Sequence, residues 1–390
     1  MRVGSGIRLL VAALVLLCMG TGSGFAMLPP DSCSADTTAG KRERNFRKKV
    51  KRTGSLLYRF IKAFDEYDTD YITPNYYNFT AMLQNTNFYQ VYILKGTDTD
   101  GNTQSLHMSP APTFKVGPYF GWRWLFLGYT FDISHPRSAG KTTEFNFSLY
   151  SAMLGGDVVY IRNTGEFTLN KVMGFDEEVT RKVRKSKFSG MDTYTASINV
   201  YYVLNHRHFS YPAAFAQSTV QRRSCGSWIF GFRFDKQKVK FDYTRLPSEL
   251  TGMTAGKTDD GTDGPMINEL KISEIEYKNY SLSAGYAYNW VFMPNCLLSA
   301  SMTPSIGYKQ AEGERLSGET LWMNVKNMNF DVVTRLGVVW NNTRWFVGAS
   351  LISHLYDYKK DRMSLMNAVN YLNVYAGFCF NRKSQYRNRR

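Results

Sequence analysis

Two histidine-bearing stretches are the places in this chain where chemistry could be seated. Asn205-His206-Arg207-His208-Phe209-Ser210 sets two imidazoles and a hydroxyl close together. A histidine that takes a proton from a neighbouring serine is the elementary arrangement for acyl transfer. His354, beside Ser350 and Ser353, is a second such setting. Two acidic runs, Asp98-Thr99-Asp100-Gly101-Asn102 and Asp259-Asp260-Gly261-Thr262-Asp263-Gly264, have the oxygen-rich composition of calcium-holding turns. Neither completes the ligand series that ends on a glutamate. His206 and His208 have no carboxylate nearby, so zinc spacing is missing too. The plainer readings are preferred: a polar connection at His206–Ser210, a hydrogen-bonded interior histidine at His354, and solvated acidic turns. No catalytic residue, metal ligand or cofactor is assigned. His354, His206, His208 and Ser210 remain the candidates for an enzymatic alternative.

A different set of polar residues follows a rule. Glu144, Arg233, Asp235, Asp331, Arg335 and Arg344 lie within segments whose alternate positions are aromatic or aliphatic. Trp228, Phe230, Phe232 and Phe234 alternate with Arg233 and Asp235; Phe145, Phe147 and Leu149 alternate with Glu144 and Asn146. Such charges are costly toward lipid and are expected to point into a polar lumen.

The period-two rhythm recurs through the second half of the chain. Tyr194, Ala196, Ile198, Val200, Tyr202 and Leu204 oppose Thr193, Thr195, Ser197, Asn199 and Tyr201. Tyr280, Leu282, Ala284, Tyr286, Tyr288 and Trp290 do the same against Asn279, Ser281, Ser283, Gly285, Ala287 and Asn289. Segments this long, apolar on one face and ended by aromatics, predict an all-β fold, an antiparallel transmembrane up-and-down β-barrel. Ten strands are expected at 115–133, 142–152, 157–162, 191–204, 226–235, 277–292, 296–309, 327–341, 343–356 and 370–380. A hairpin of Tyr76–Leu83 and Phe88–Leu94 about Gln84-Asn85-Thr86-Asn87 raises the count from ten to twelve, the preferred number. Gly155-Gly156, Pro294-Asn295 and Asn341-Asn342 read as tight turns. Long polar loops are expected at 163–190, 236–276, 310–326 and 357–369. Short turns belong on the periplasmic side of such barrels. The connection Asn205–Cys225 falls on that side yet is far too long for a turn, so it must do something else.

Arg2 and Arg8, an apolar run from Leu9 to Leu17 and the small residues to Ala26 read as a secretory signal over residues 1–26. Residues 27–69 form a basic leader with a short amphipathic helix at Arg47–Phe64, residues 70–380 the barrel, and residues 381–390 a basic tail. Lys41–Arg52 carries +7, the tail +5 and Asn205–Cys225 +3, nearly all of the net charge of +16. Charge confined to the ends, with aromatics in lipid-facing rows rather than on basic platforms, speaks against nucleic-acid binding. Cys33, Cys225, Cys296 and Cys379 lack metal-site spacing and read as isolated thiols.

Three motifs carry a resemblance. They are Asp70-Tyr71-Ile72-Thr73-Pro74-Asn75-Tyr76, the aromatic run Phe114–Ile133 containing Gly117-Pro118-Tyr119-Phe120-Gly121-Trp122, and Phe209–Phe215 followed by Gln221–Gly226. Together they resemble a family of uncharacterised secreted bacterial proteins, a domain of unknown function frequent in Bacteroidota, over roughly residues 65–380. The resemblance implies an outer-membrane-type barrel and brings no catalytic residues.

The expected function is that of an integral outer-membrane protein of a Gram-negative bacterium, non-enzymatic: structural, a narrow pore or a transport accessory. A lipid- or glycan-modifying enzyme and a soluble periplasmic lipocalin-like barrel are the alternatives. Expected partners are outer-membrane lipid, the barrel-assembly machinery reading the terminal Phe378 and Phe380, and an anionic envelope component at Lys41–Arg52. Eight cations within that segment repel one another, which favours an anionic partner. A peptide of residues 41–66 is therefore expected to bind anionic vesicles or peptidoglycan at low salt and to leave them at high salt. Binding that is absent, or indifferent to salt, would leave the segment a solvated leader.

Overall fold

Successive residues of an extended chain point to opposite sides, so a strand can meet lipid with one row and a polar interior with the other. The computed structural model describes residues 67–122, 125–128, 131–133, 142–252, 265–311, 328–360 and 362–386. In chain order its strands begin with β1 (Ile72–Pro74), β2 (Tyr77–Thr97), β3 (Thr103–Pro110), β4 (Thr113–Trp122), β5 (Leu125–Gly128) and β6 (Phe131–Asp132). Next come β7 (Thr142–Tyr150), β8 (Leu154–Asn163), β9 (Phe167–Met173), the helix α1 (Glu177–Val183), β10 (Lys187–Phe188) and β11 (Met191–Val203). The helix α2 (Tyr211–Phe215), β12 (Thr219–Gln221), β13 (Cys225–Phe241) and the helix α3 (Ser248–Thr251) follow. The chain then runs through β14 (Glu274–Met293), β15 (Cys296–Ala311), β16 (Met328–Asn341), β17 (Trp345–Lys360) and β18 (Met363–Arg382).

Every described pairing is antiparallel. The ladder runs β7-β8-β11-β13-β14-β15-β16-β17-β18-β2. The far edge of β2 is shared: Phe79–Phe88 pairs with β4 and Tyr92–Thr97 with β3. β4 pairs onward with β5 and β6, while β3 pairs with β9 and β9 with β10. Because β9 follows β8 and β10 leads into β11, the ladder at that end comes back to the β8–β11 pair. Taking β3 with β4, β5 with β6, β8 with β9 and β10 with β11 as interrupted single strands, the described ladder has twelve members.

The course of the chain through the ladder differs from the one the sequence predicts. Residues 77–97 are one strand, not a hairpin about Gln84–Asn87. The polar run resembles a turn, but Gln84 Nε2 reaches Asn373 Oδ1 at 3.1 Å and both edges of the strand are paired. Conversely, Lys115–Ile133 is not one strand: Trp122 pairs with Leu125 and Lys115 with Asp132, so the segment doubles back. Gly155 and Gly156 are strand residues, and the turn is Ser151–Met153. Gly155 is needed because the Tyr201 ring lies where a Cβ would stand. The polar stretch 163–190 is not a bare loop but holds β9, α1 and β10, and β13 and β14 extend well beyond their expected ends. The Arg47–Phe64 helix lies outside the described residues.

The two faces divide as expected. Leu282 is 71% exposed, and Tyr280, Tyr286, Tyr288 and Trp290 stand out with it, while Asn279, Ser281, Ser283 and Asn289 are buried. The same inversion holds on β11, where Thr193, Thr195, Ser197 and Asn199 are buried and Val200 is half exposed. A water-soluble surface seldom carries contiguous apolar patches of this extent. Here they fit the apolar outer band of a membrane barrel.

The interior is packed at both ends. The end carrying Ser151–Met153, Pro294-Asn295 and Asn342–Arg344 is the turn end; the opposite one is the loop end. At the loop end Val183 of α1, Leu250 of α3 and Leu270 join Tyr92, Leu106, Phe167, Phe241, Tyr277 and Leu365 in one apolar core. At the turn end Phe209, Tyr211 and Ala216 pack with Tyr150, Tyr201, Val203 and Ile229.

Leu282→Arg separates a lipid-facing surface from a watery one. In a bilayer the change is expected to destabilise the refolded protein by about 2–4 kcal/mol. At a water-exposed site it would stay within roughly 0.5 kcal/mol. Denaturant titration in vesicles distinguishes the two.

Candidate functional site

The turn end owes its closure to one connection. Residues 205–224, between β11 and β13, fold inward, and α2 packs against β7, β15 and β16. Ser210 caps the helix, its Oγ accepting from the Ala213 N–H at 3.2 Å. Gln221 fastens the segment: its Nε2 donates to the His208 and Arg223 carbonyls, at 2.6 and 3.0 Å. Its Oε1 accepts from the Ser210 N–H and from Asn289 Nδ2, each at 3.0 Å. β12 pairs with β1, which lays residues 72–74 along the same segment. Tyr375 OH donates to the Ala214 carbonyl at 3.1 Å and Gln217 Nε2 donates to Tyr375 OH at 2.7 Å, tying the plug to β18.

Between plug and loop-end core lies a belt of buried charge. Arg335 on β16 forms an ion pair with Asp157 on β8, both almost fully buried. Asp157 also accepts from Ser148 Oγ at 2.9 Å and Asn199 Nδ2 at 3.0 Å. The Arg335 guanidinium lies 5.2 Å from the centre of the Tyr201 ring and 6.0 Å from that of Tyr211, so the plug contributes to its surroundings. Nearer the loop end, Arg233 approaches Asp331 at 4.0 Å and lies 5.9 Å from the Tyr356 ring centre. Asn279 Nδ2 donates to Asp331 Oδ2 at 2.8 Å and stands 3.5 Å from Asp235 Oδ2. His354 is buried and stacked on Tyr356, ring centres 6.1 Å apart.

Beside the plug lies a cavity of about 350 Å³ lined by residues of β2, β4, β7, β17 and β18. Lys115 and Glu144 form an ion pair in its wall. Gln217, Phe215 and Tyr375 close it on the plug side.

Glu144, Arg233, Asp235, Asp331 and Arg335 thus face the interior. Arg344 does not: it is exposed in the Asn342–Arg344 turn, where its N–H donates to Asn342 Oδ1. Alternation alone cannot say where a strand has ended and its turn begun. The histidine cluster lacks serine–histidine geometry. Ser210 Oγ is engaged by Thr219 Oγ1 at 2.7 Å, while His208 Nδ1 meets Asn205 Oδ1 at 3.0 Å and its Nε2 lies 3.3 Å from Asp68. His206 packs edge-on to Tyr202. The Asp98 carboxylate accepts from Asn102 Nδ2 and from the Asp100 and Asn102 N–H groups. These bonds, the Asn102 side chain's foremost, hold it below the usual carboxylate range and organise a turn. Asp259–Gly264 lies outside the described residues, and among those described no acidic, histidine and cysteine side chains gather as a metal site.

Sequence reasoning missed Asp157, Lys115, Gln217 and Gln221. Asp157 was recoverable, since it shares a face with Val159 and Ile161 and alternates with Val158 and Tyr160. The plug residues had no periodic signal.

Breaking a buried pair costs more than replacing both partners, because one charge is left alone. Arg335→Met is expected to lower refolding stability by about 3–5 kcal/mol. The double change Arg335→Met with Asp157→Asn should recover a large part of that loss, as denaturant titration would measure.

No curated protein matches this sequence. Among solved structures, the outer membrane protease OmpT from Escherichia coli is similar at 9% identity and a TM-score of 0.32, covering 79% of this chain and 98% of its own. The translocator domain of the autotransporter NalP from Neisseria meningitidis aligns at 10% identity and 0.25, over 88% and 100% of the two chains. The P. putida toluene transporter TodX aligns at 9% and 0.20, over 78% and 91%. The family model described as a domain of unknown function, DUF4421, matches residues 66–380, and the chain belongs to that family.

Proposed function

We propose that this chain is a non-enzymatic outer-membrane barrel of a Gram-negative bacterium whose lumen is occluded at rest, a transport accessory rather than an open pore. Export by the signal at residues 1–26, assembly through the aromatic end of β18 and an anionic envelope contact at Lys41–Arg52 belong to this reading. The observation that carries it is the inward fold of residues 205–224, fixed by Gln221 and by Tyr375, over the buried Arg335–Asp157 pair. A twelve-member ladder leaves a lumen that side chains can fill, whereas aqueous channels come with roughly 16–18 strands. The exposed apolar rows support insertion in lipid over a soluble lipocalin-like barrel. The engagement of Ser210 in capping α2 supports a structural role for the His206–Ser210 stretch over a hydrolytic one.

Conductance tests the proposal. The intact chain in planar bilayers is expected to stay at baseline, and deletion of residues 211–217 to produce stepwise openings. Steady channels from the intact chain would overturn occlusion. Phospholipid hydrolysis that disappears in His354→Ala would restore the enzymatic alternative.

A further inference from the structure

Charge is compensated unequally along the barrel. Among the described residues the turn end carries Arg207, Arg222, Arg223, Arg344, Arg382 and Lys383 against the carboxylates of Asp68 and Asp70. The other described carboxylates belong to the lumen or to the loop end. Asp68 is already engaged, by His208 Nε2 at 3.3 Å. Arg222, Arg223 and Arg344 are exposed and form no ion pair with a described residue. Neutral groups hold the first two. Arg222 Nη1 donates to the Thr69 carbonyl at 3.5 Å, and the Arg223 guanidinium lies 5.6 Å from the centre of the Tyr71 ring. These arginines stand just beyond an outward aromatic row. Trp228, Trp290 and Trp345 are about half exposed, and Phe378 lies against Trp345 with ring centres 5.2 Å apart. Arg344 directly precedes Trp345. Ser224 Oγ accepts from the Val291 N–H at 2.9 Å, which sets Arg222–Ser224 beside the residue that follows Trp290. The Asn341 N–H donates to the Asn295 carbonyl at 2.8 Å, so the turn that bears Arg344 adjoins the one between β14 and β15. Aromatic girdles of membrane barrels sit at the boundary between hydrocarbon and water. Cations one step past such a girdle lie at the depth of lipid headgroups.

We propose that the rim at the turn end, through Arg222, Arg223 and Arg344, binds the headgroup phosphates of anionic phospholipids in the leaflet it meets. A guanidinium presents a planar fork of donors that matches two phosphate oxygens. A glycerol headgroup leaves the charge of its phosphodiester uncompensated, whereas choline or ethanolamine supplies a cation of its own. A soluble acidic protein would approach from the aqueous side and has no need of arginines level with tryptophans. The lipid phosphate is the anion found at that depth. The inference rests on the membrane-barrel reading, which Leu282→Arg tests separately. It does not depend on the occlusion of the lumen or on the leader Lys41–Arg52, which the substitutions below leave in place.

The full chain is to be reconstituted in phosphatidylcholine bilayers with spin-labelled phosphatidylglycerol or spin-labelled phosphatidylcholine. Electron paramagnetic resonance then reads the fraction of label immobilised on the protein. The parent should favour phosphatidylglycerol about fivefold at about 10 mM salt, falling toward parity at about 1 M as screening shortens the reach of the charges. The triple variant Arg222→Gln, Arg223→Gln, Arg344→Gln should lose at least half of that preference. A control that removes three exposed loop-end cations, Lys171→Gln, Arg181→Gln, Arg184→Gln, should keep it. Heat-modifiable mobility shows that each barrel is folded. Arg344→Gln alone, in an exposed turn, should give a smaller loss in the same direction and decides the matter if the triple variant misfolds. A parent without preference at low salt would overturn the proposal, as would a folded triple variant that matches the parent or a control that loses as much. Retention of the parent on peptidoglycan sacculi, with no lipid preference, would assign these cations to a different anion.

Discussion

The ion pair of Arg335 with Asp157 joins two strands that are not ladder neighbours and meets the plug through Tyr211, so it ties the wall of the lumen to the plug. Taking a guanidinium and a carboxylate out of water costs several kcal/mol per ion, and attraction repays that only when the remaining bonding capacity is filled. Ser148 and Asn199 fill it for Asp157; the rings of Tyr201 and Tyr211 flank the guanidinium, whose Nε has no hydrogen-bond partner in the protein. Tyr201 needs its own room, which the absence of a side chain at Gly155 provides on the neighbouring strand. A charged pair, two strands, a glycine and a plug tyrosine are thereby made interdependent.

Lipid imposes the complementary constraint. Backbone groups facing hydrocarbon must be satisfied within the ladder, and the outward side chains must be apolar. Polar residues are therefore displaced inward, where they need partners of their own. Along β13 the inward row changes from Ile229, in the turn-end cluster, through Arg233 and Asp235 to Val239 and Phe241 in the loop-end core. The lumen is thus a charged layer between two apolar ones. Many of its donors and acceptors are matched within the protein, while Arg233 Nε, Arg335 Nε and His354 Nδ1 in the charged layer lack a protein partner.

Alternation made a great deal legible. The lipid row Tyr280–Trp290 and the lumen positions of Arg233, Asp235, Asp331 and Arg335 follow from period two once a barrel is assumed, because a pleated strand offers only two sides. Length and polarity also marked residues 205–225 as more than a turn. Where strand and turn share a composition, the sequence misleads: Gln84–Asn87 has turn chemistry yet lies in a strand paired on both edges, and Arg344 has strand periodicity yet lies in a turn.

Sequence by itself determined the fold class and the sidedness of the strands, since both rest on contacts with solvent or lipid that each residue makes alone. Tertiary structure decided the rest: the doubling back of Lys115–Ile133, the inward fold of the plug and the partner of Arg335. These depend on which distant segment supplies the opposing atom. Asp157 and Arg335 are 178 residues apart, and Gln217 and Tyr375 158. No local spacing encodes such a meeting, because it exists only after the intervening strands have paired in register.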